Sequence, residues 1–286
     1  MFMAVFSMYR YASLSWRQEW CGSSDFNRMS AGFFDHILTA MRTPLIRRQL
    51  PSLFNMYRDR IRDHLNAIDA ANFPRFGGNI VAVSDIFVRM CRFNGDPRLV
   101  SVEYSCDDPS HRPLIKGDSL TFILIQHTLS AVDLAPSTGN PPTLQQWISS
   151  YLLRLRAERP LCRTCRKLYS HSSLTFTPLP WVWIDISPQS NGLSTLSTTL
   201  AIKQDFKPDI DYTLTGIIYG GQNHFSARWR DNSGRWWVHD GMVDSGRPSL
   251  DAVTNDVQLT RLGLRVMHIL IYRLISADSA IITSST

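Results

Sequence analysis

The stretch that decides the fold is Tyr212–Met242, YTLTGIIYGGQNHFSARWRDNSGRWWVHDGM. It is rich in Ile, Tyr, Trp and Phe and punctuated by Gly and Asn-Ser-Gly, the composition of strands joined by tight turns. It reads as three consecutive antiparallel strands, with Asp231–Gly234 turning the second into the third. A four-residue loop there sets Phe225 opposite Asp240. A bulge at Gly234, the residue type that bulges favour, shifts the pairing by one and sets His224 opposite Asp240. In that second register an imidazole meets a carboxylate, which fixes a tautomer and holds a general base. A surface histidine and a turn aspartate on a plain hairpin satisfy the same spacing. Gly220, Gly221 and Asn223, just before His224, leave room for an extended substrate beside the backbone.

Outward from this stretch, LTFTPLPWVWIDIS and RVMHILIYRLI also read as strands, as do VSVEYSC and LTFILIQHTL. TLQQWISSYLLRLRAE reads as a helix. Before residue 100 the pattern is helical: FFDHILTAM, then SLFNMYRDRIRDHLNAI, where Leu53, Met56, Tyr57, Ile61, Leu65 and Ile68 make one face. NIVAVSDIFVRM follows the Gly77-Gly78 break as a further helix starting near Ser84. Helices first and sheet last predict an α+β domain rather than alternating βαβ units.

The 286 residues are 44% hydrophobic and 11% aromatic, enough to fill a core and too apolar for a disordered chain. The net charge of +6 is spread along the chain. Arg42, Arg47, Arg48, Arg58, Arg60 and Arg62 invite a nucleic-acid reading, but the interleaved Asp59 and Asp63 favour a solvated helix face. The greasy start, MFMAVF, has no basic residues ahead of it and meets Tyr9 and Arg10, unlike a secretory signal. The apolar run near the end contains Arg265, His268 and Arg273, so no membrane segment is expected. Five cysteines, an odd number in a long chain, predict a reducing compartment, cytoplasmic or nuclear, where close-set thiols more often hold metal. Cys162 and Cys165 stand as CRTC, and Cys106 with His111 as CDDPSH. Two such knuckles close a tetrahedral zinc site, with His171 as a substitute ligand. Cys91 reads as core.

The deciding stretch resembles the His box of the ubiquitin-specific proteases, papain-like thiol hydrolases. Tyr212-Thr213-Leu214, GIIYGG, Asn223-His224-Phe225, Trp236-Trp237 and Asp240 follow one another as in that family. CRTCRKLYSHSSLTFTPLPWVWIDIS resembles its second zinc knuckle and following strand, and VMHILIYRLI its terminal strand. The resemblance implies one domain over 1–286: a helical thumb (about 12–100), zinc-bearing fingers (101–178) and an antiparallel β palm (179–278). It also implies ubiquitin or a ubiquitin-like protein as partner, His224 as base and Asp240 as its orienting group.

The family's Cys box places its nucleophile at a helix N-terminus, where exposed amides favour the thiolate. Aligning it with GFFDHILTAM puts the nucleophile on Gly32 and the oxyanion-stabilising Asn on Ser30. A glycine cannot attack a carbonyl, so the resemblance implies a domain that binds the modifier without cleaving it. The alternative is an active deubiquitinating hydrolase using Cys21, His224 and Asp240. Against it, Gly22 to Asn27 read as turn formers, leaving Cys21 without a helix start.

Overall fold

The computed structural model describes residues 6, 9–10, 13–43, 50–71, 100–118, 122–124, 143–176, 181–186, 196–203, 208–221, 224–231, 233–240, 242–243, 248–253 and 255–275. The chain forms two compact units, Met1–Asp96 and Pro97–Thr286. The helix expected near Ser84, Cys91, Asn223 and most of LTFILIQHTL lie outside the described residues.

The first unit is helical. Helix α1 spans Leu14–Ser23, α2 Asp25–Arg42 and α3 Leu50–Ile68. Ser13 caps α1 by accepting from the Trp16 amide, and Ser24 caps α2 by accepting from the Asn27 amide. Asp25 in the first turn of α2 and Arg42 in the last both suit its dipole. Phe26, Ser30, Phe33, Phe34, Ile37 and Ala40 recur at helical spacing and are buried. Trp20 stacks on Phe34 at 6.1 Å and Phe33 meets Tyr57 at 5.0 Å, so aromatic contacts fill this core. On α3, Tyr57, Ile61 and Leu65 are buried as expected, whereas Met56 and Ile68 at the edge of the face are exposed.

The helix expected to begin at Gly32 begins at Asp25 instead. Ser24, Asp25 and Asn27 are not turn residues here. They start a helix: the Ser24 hydroxyl satisfies a first-turn amide, and Asp25 in that turn suits the helix dipole.

The second unit is mostly antiparallel sheet. Its strands are β1 (Val100–Ser105), β2 (Leu114–Asp118), β3 (Phe122–Leu124), β4 (His171–Phe176), β5 (Trp181–Asp185), β6 (Thr199–Ile202), β7 (Ile210–Gly221), β8 (His224–Arg230), β9 (Trp236–Asp240), β10 (Ser249–Leu250), β11 (Arg261–Leu262) and β12 (Arg265–Leu274). Helix α4 spans Leu144–Ala157. The large sheet runs β10-β9-β8-β7-β12-β5-β3, with β6 beside β7 and β11 beside β12. Only β3 and β5 pair in parallel among the described strands. Val182, Ile184, Leu200, Tyr212, Leu214, Ile217, Leu270 and Tyr272 form its core, with Leu144 and Ile148 of α4.

A three-stranded ribbon, β2-β1-β4, rises from this core. At one end Val100 pairs with Phe176, and both belong to the large core. At the other, Ser105 pairs with His171, about 17 Å away for strands of this length. A small core of Val102, Tyr104, Cys162 and Tyr169 fills that far end.

Both registers expected for the β8–β9 hairpin are corrected. Arg230 pairs with Trp236 and Ser226 with Asp240, so neither Phe225 nor His224 lies directly opposite Asp240. The connection is one residue longer than the four-residue loop because Asp231 organises it. Its amide donates to the Arg235 carbonyl at 2.9 Å, and its carboxylate accepts from the amides of Ser233 and Arg235 and from the Trp237 indole. Gly234 does take a left-handed conformation, φ +81°, within this loop.

The same bonds, the Trp237 indole first and the Arg235 amide and guanidinium after it, hold the Asp231 carboxyl down at about 2 against its burial. Its stabilising effect is therefore complete above the ordinary carboxylate value, near pH 4, and is lost as pH falls through about 2. In acid titrations followed by tryptophan fluorescence, Asp231→Asn should flatten the loss of stability between pH 4 and 2; an unchanged acid limb would contradict this role.

Candidate functional site

Two clusters of chemically active side chains stand out in the second unit. At the tip of the ribbon, Cys106 follows β1, His111 lies in the turn to β2, and Cys162 and Cys165 flank a tight turn ahead of β4. Their ligand atoms all lie within 4.8 Å of one another. Cys106 Sγ is 3.9 Å from Cys165 Sγ, and Cys162 Sγ is 3.9 Å from His111 Nδ1. A tetrahedron with sulfur about 2.3 Å from its centre has edges of about 3.8 Å, so the four atoms are spaced to hold a metal ion. His171, the substitute ligand, instead bonds Asp107 at 3.0 Å and stands outside the cluster.

The local backbone is shaped for this arrangement. The Arg166 amide bonds the Cys162 carbonyl at 3.0 Å, and the Cys162 amide bonds the Lys167 carbonyl at 2.8 Å. Arg166 has φ 61°, the described non-glycine residue in the left-handed region, and closes the knuckle. The amide of Cys165, then that of Thr164, pulls the Cys162 thiol down to about 6. Burial, then contact with the other two thiols, pushes Cys106 up to about 12. Three sulfurs this close resist ionising together, and a divalent cation among them reverses that preference. His111 turns Nε2 toward Asp108 Oδ2, 3.5 Å away. Asp108 is itself held by the amide and hydroxyl of Ser110. A carboxylate behind a ligating imidazole is the usual second support of a metal centre.

The second cluster lies on one face of β8, β9 and β12. His224 Nε2 is 2.6 Å from Asp240 Oδ1. The pair forms diagonally: Ser226 is opposite Asp240, and His224, two residues along, shares its face. Asp240 also accepts from the Met242 amide at 3.0 Å, from Ser226 Oγ at 3.2 Å and from Arg265. Burial opposes the carboxylate's charge, but the Met242 amide, Arg265 and His224 outweigh it and hold Asp240 well below the usual range. An ionised Asp240 accepts from Nε2–H, and in a neutral imidazole so bonded Nδ1 is the acceptor. His224 and Asp240 are each partly buried, 21% and 13% exposed, so the pair is neither a solvated surface contact nor sealed in the core.

Gly220 makes room for a side chain of this chain, and Gly221 supplies a backbone conformation that other residues rarely adopt. A Cβ on Gly220 would come within 2.9 Å of three atoms of the His268 ring, which also meets Phe225 edge-on at 5.9 Å. A Cβ on Gly221, whose φ is +149°, would stand 3.4 Å from the Arg265 Cα and 3.6 Å from its Cγ. Sequence reasoning met His268 and Arg265 only as polar breaks in an apolar run and gave neither a role in the site. Both sit on β12 where the register slips, between Met267 and Ile269, or just before it. Bulges of this kind re-aim side chains in ways that a pattern of apolar residues conceals.

In the helical unit, Gly32 lies in the interior of α2, where amides bond to carbonyls of the preceding turn. Ser30, at the oxyanion position, is buried and donates to the Phe26 carbonyl at 2.8 Å. Cys21 is half-buried in the last turn of α1, at the carbonyl end of that helix.

No protein-family profile and no curated protein matches the chain. Among solved structures it is similar to a SAGA DUB module of Ubp8, Sgf11, Sgf73 and Sus1, at 12% identity and TM-score 0.44, over 96% of this chain and 65% of that one. It is similar to the Saccharomyces cerevisiae PAN2 pseudoubiquitin-hydrolase at 11% identity and TM-score 0.44, over 95% and 83%. A SAGA DUB module bound to monoubiquitin matches at 14% identity and TM-score 0.38, over 62% and 40%. The chain thus spans less than half the length of that last protein. Scores this low describe partial superposition and assign no residue, ligand or activity to this chain. No helix among the described residues is long and apolar enough to cross a membrane.

Gly220→Ala should destabilise the second unit by about 2 kcal/mol, since a ring rather than a flexible chain end must move. Adding His268→Ala should recover most of that loss in urea unfolding. Equal losses in the single and double variants would show that the ring is not what Gly220 accommodates.

Proposed function

We propose that this chain is a ubiquitin-specific-protease-like domain that binds ubiquitin or a related modifier and does not cleave it. In this reading residues 1–286 form one such domain, with the helical unit as thumb, the β ribbon as finger and the large sheet as palm. The observation that carries the reading is that the described cysteines stand in a metal-type cluster or at the carbonyl end of a helix, while His224 and Asp240 form a hydrogen-bonded pair. His224 and Asp240 keep an orienting hydrogen bond. Three of the five cysteines, Cys106, Cys162 and Cys165, gather in the metal-type cluster and are not available as nucleophiles. Gly32 supplies no thiol, and its interior position offers no exposed amides for an oxyanion. Cys21 sits at a helix end whose carbonyls do not favour a thiolate.

The cluster is read as a structural zinc site. Three cysteines and one histidine form a closed donor set, soft enough for zinc and without an open position for substrate. Zinc there supplies folding energy: it joins β1, the turn to β2 and the strand leading to β4, at an end of the ribbon with few apolar residues of its own.

The test is fluorescence-anisotropy titration with labelled ubiquitin, paired with turnover of a fluorogenic ubiquitin amide. Saturable binding without turnover is expected, with His224→Ala weakening binding about threefold or more while keeping the fold. Turnover abolished by Cys21→Ser would instead establish the active-hydrolase alternative, and absence of binding would contradict the modifier-binding reading.

A further inference from the structure

Asp240 is surrounded by four donors from different parts of the sheet. His224 Nε2 and the Met242 amide take one carboxylate oxygen; Ser226 Oγ and Arg265 take the other. Arg265 comes from β12, and in the sheet order β7 and β8 lie between that strand and β9. Its stem passes beside Gly221, where a Cβ would stand in ordinary contact with it, 3.4 Å from the Arg265 Cα and 3.6 Å from its Cγ. On the way it also donates to the Ser226 hydroxyl at 2.5 Å. Arg265 is 16% exposed and Asp240 13%, so water screens this ion pair only weakly.

We infer that Arg265 is a positioning residue for the His224–Asp240 pair: it turns one Asp240 oxygen toward the imidazole and balances the carboxylate's charge, so that carboxylate, guanidinium and a neutral imidazole together carry no net charge. This rests on the reading of His224 and Asp240 as the functional pair. A lone carboxylate against an imidazole favours the imidazolium, and a guanidinium on the same carboxylate removes much of that preference. Among the described residues, Asp240 from β9 pairs with His224, Arg265 from β12 pairs with that same carboxylate, Ser226 lies on the strand of His224, and His268 lies against Phe225. Thiol hydrolases of the cysteine–histidine type work through a thiolate–imidazolium pair. A site in which the carboxylate is already balanced suits the opposite task, offering Nδ1 as an acceptor to an N–H of a bound extended segment.

The measurement is the nitrogen-15 spectrum of the histidine rings in the whole chain, with His224 assigned by His224→Gln. In the native protein at pH 7 His224 should be the neutral Nε2–H tautomer; a doubly protonated ring there would overturn the inference with no variant needed. Arg265→Gln should raise the imidazolium-to-imidazole ratio at pH 7 at least about threefold, and Arg265→Lys should stay near the native ratio. An unchanged ratio in Arg265→Gln also overturns it. These readouts need no ubiquitin, so failure of modifier binding and failure of this inference are separate results.

Discussion

The constraint on which the rest depends is the pairing of β7. This long strand is bonded to β12 along most of its length, to β6 at its start and to β8 along its second half. Its interior is buried from Tyr212 to Gly220 apart from Thr213, so it reads as a continuous apolar run rather than an alternating one. Because β8 and β12 flank it, His224 and Arg265 are brought to the same end, each beside Gly221. A one-residue slip of either neighbour would turn its functional side chain to the other face. The position of Asp240 then follows from the β8–β9 hairpin, which Asp231 closes.

The metal-type cluster answers a different physical need. The ribbon reaches away from the large core, and among the described residues its far end fully buries Val102, Tyr104, Cys162 and Tyr169, with Leu114 and Leu174 partly buried against them. So little apolar area stabilises three strands weakly. In the zinc reading proposed above, four ligands from two turns, tied to one ion, would substitute for the missing core and at the same time commit three thiols. Architecture and reactivity are linked here: the atoms that close the ribbon are the nucleophilic atoms of this unit.

Much of this was legible in the sequence. The strands around Tyr212–Met242, the helix at Leu144–Ala157 and the terminal strand all announced themselves through apolar runs bounded by turn residues. The four members of the cluster were marked by ligand type and short spacing, which tight turns require. The closeness of His224 and Asp240 was also legible, though through the wrong register: alternation along a strand fixes which residues share a face, while the turn fixes which ones are opposite. Asp231's side chain lengthened that turn, an effect of three-dimensional hydrogen bonding that residue counting misses. The start of α2 was missed because Ser24, Asp25 and Asn27 serve turns and helix caps equally. The roles of Arg265 and His268 at the site could not be read, since they arise from strands that are neighbours in space and distant in sequence.

The account turns on where the thiols are, and counting them in the native protein tests it most directly. Native metal analysis combined with titration of accessible thiols should find about one zinc per chain and no more than two reacting cysteines, Cys21 and Cys91, with all five reacting after denaturation in chelator. Metal-free protein whose Cys106, Cys162 and Cys165 react freely in the native state would contradict the account, because the thiols assigned to the cluster would then be available for chemistry.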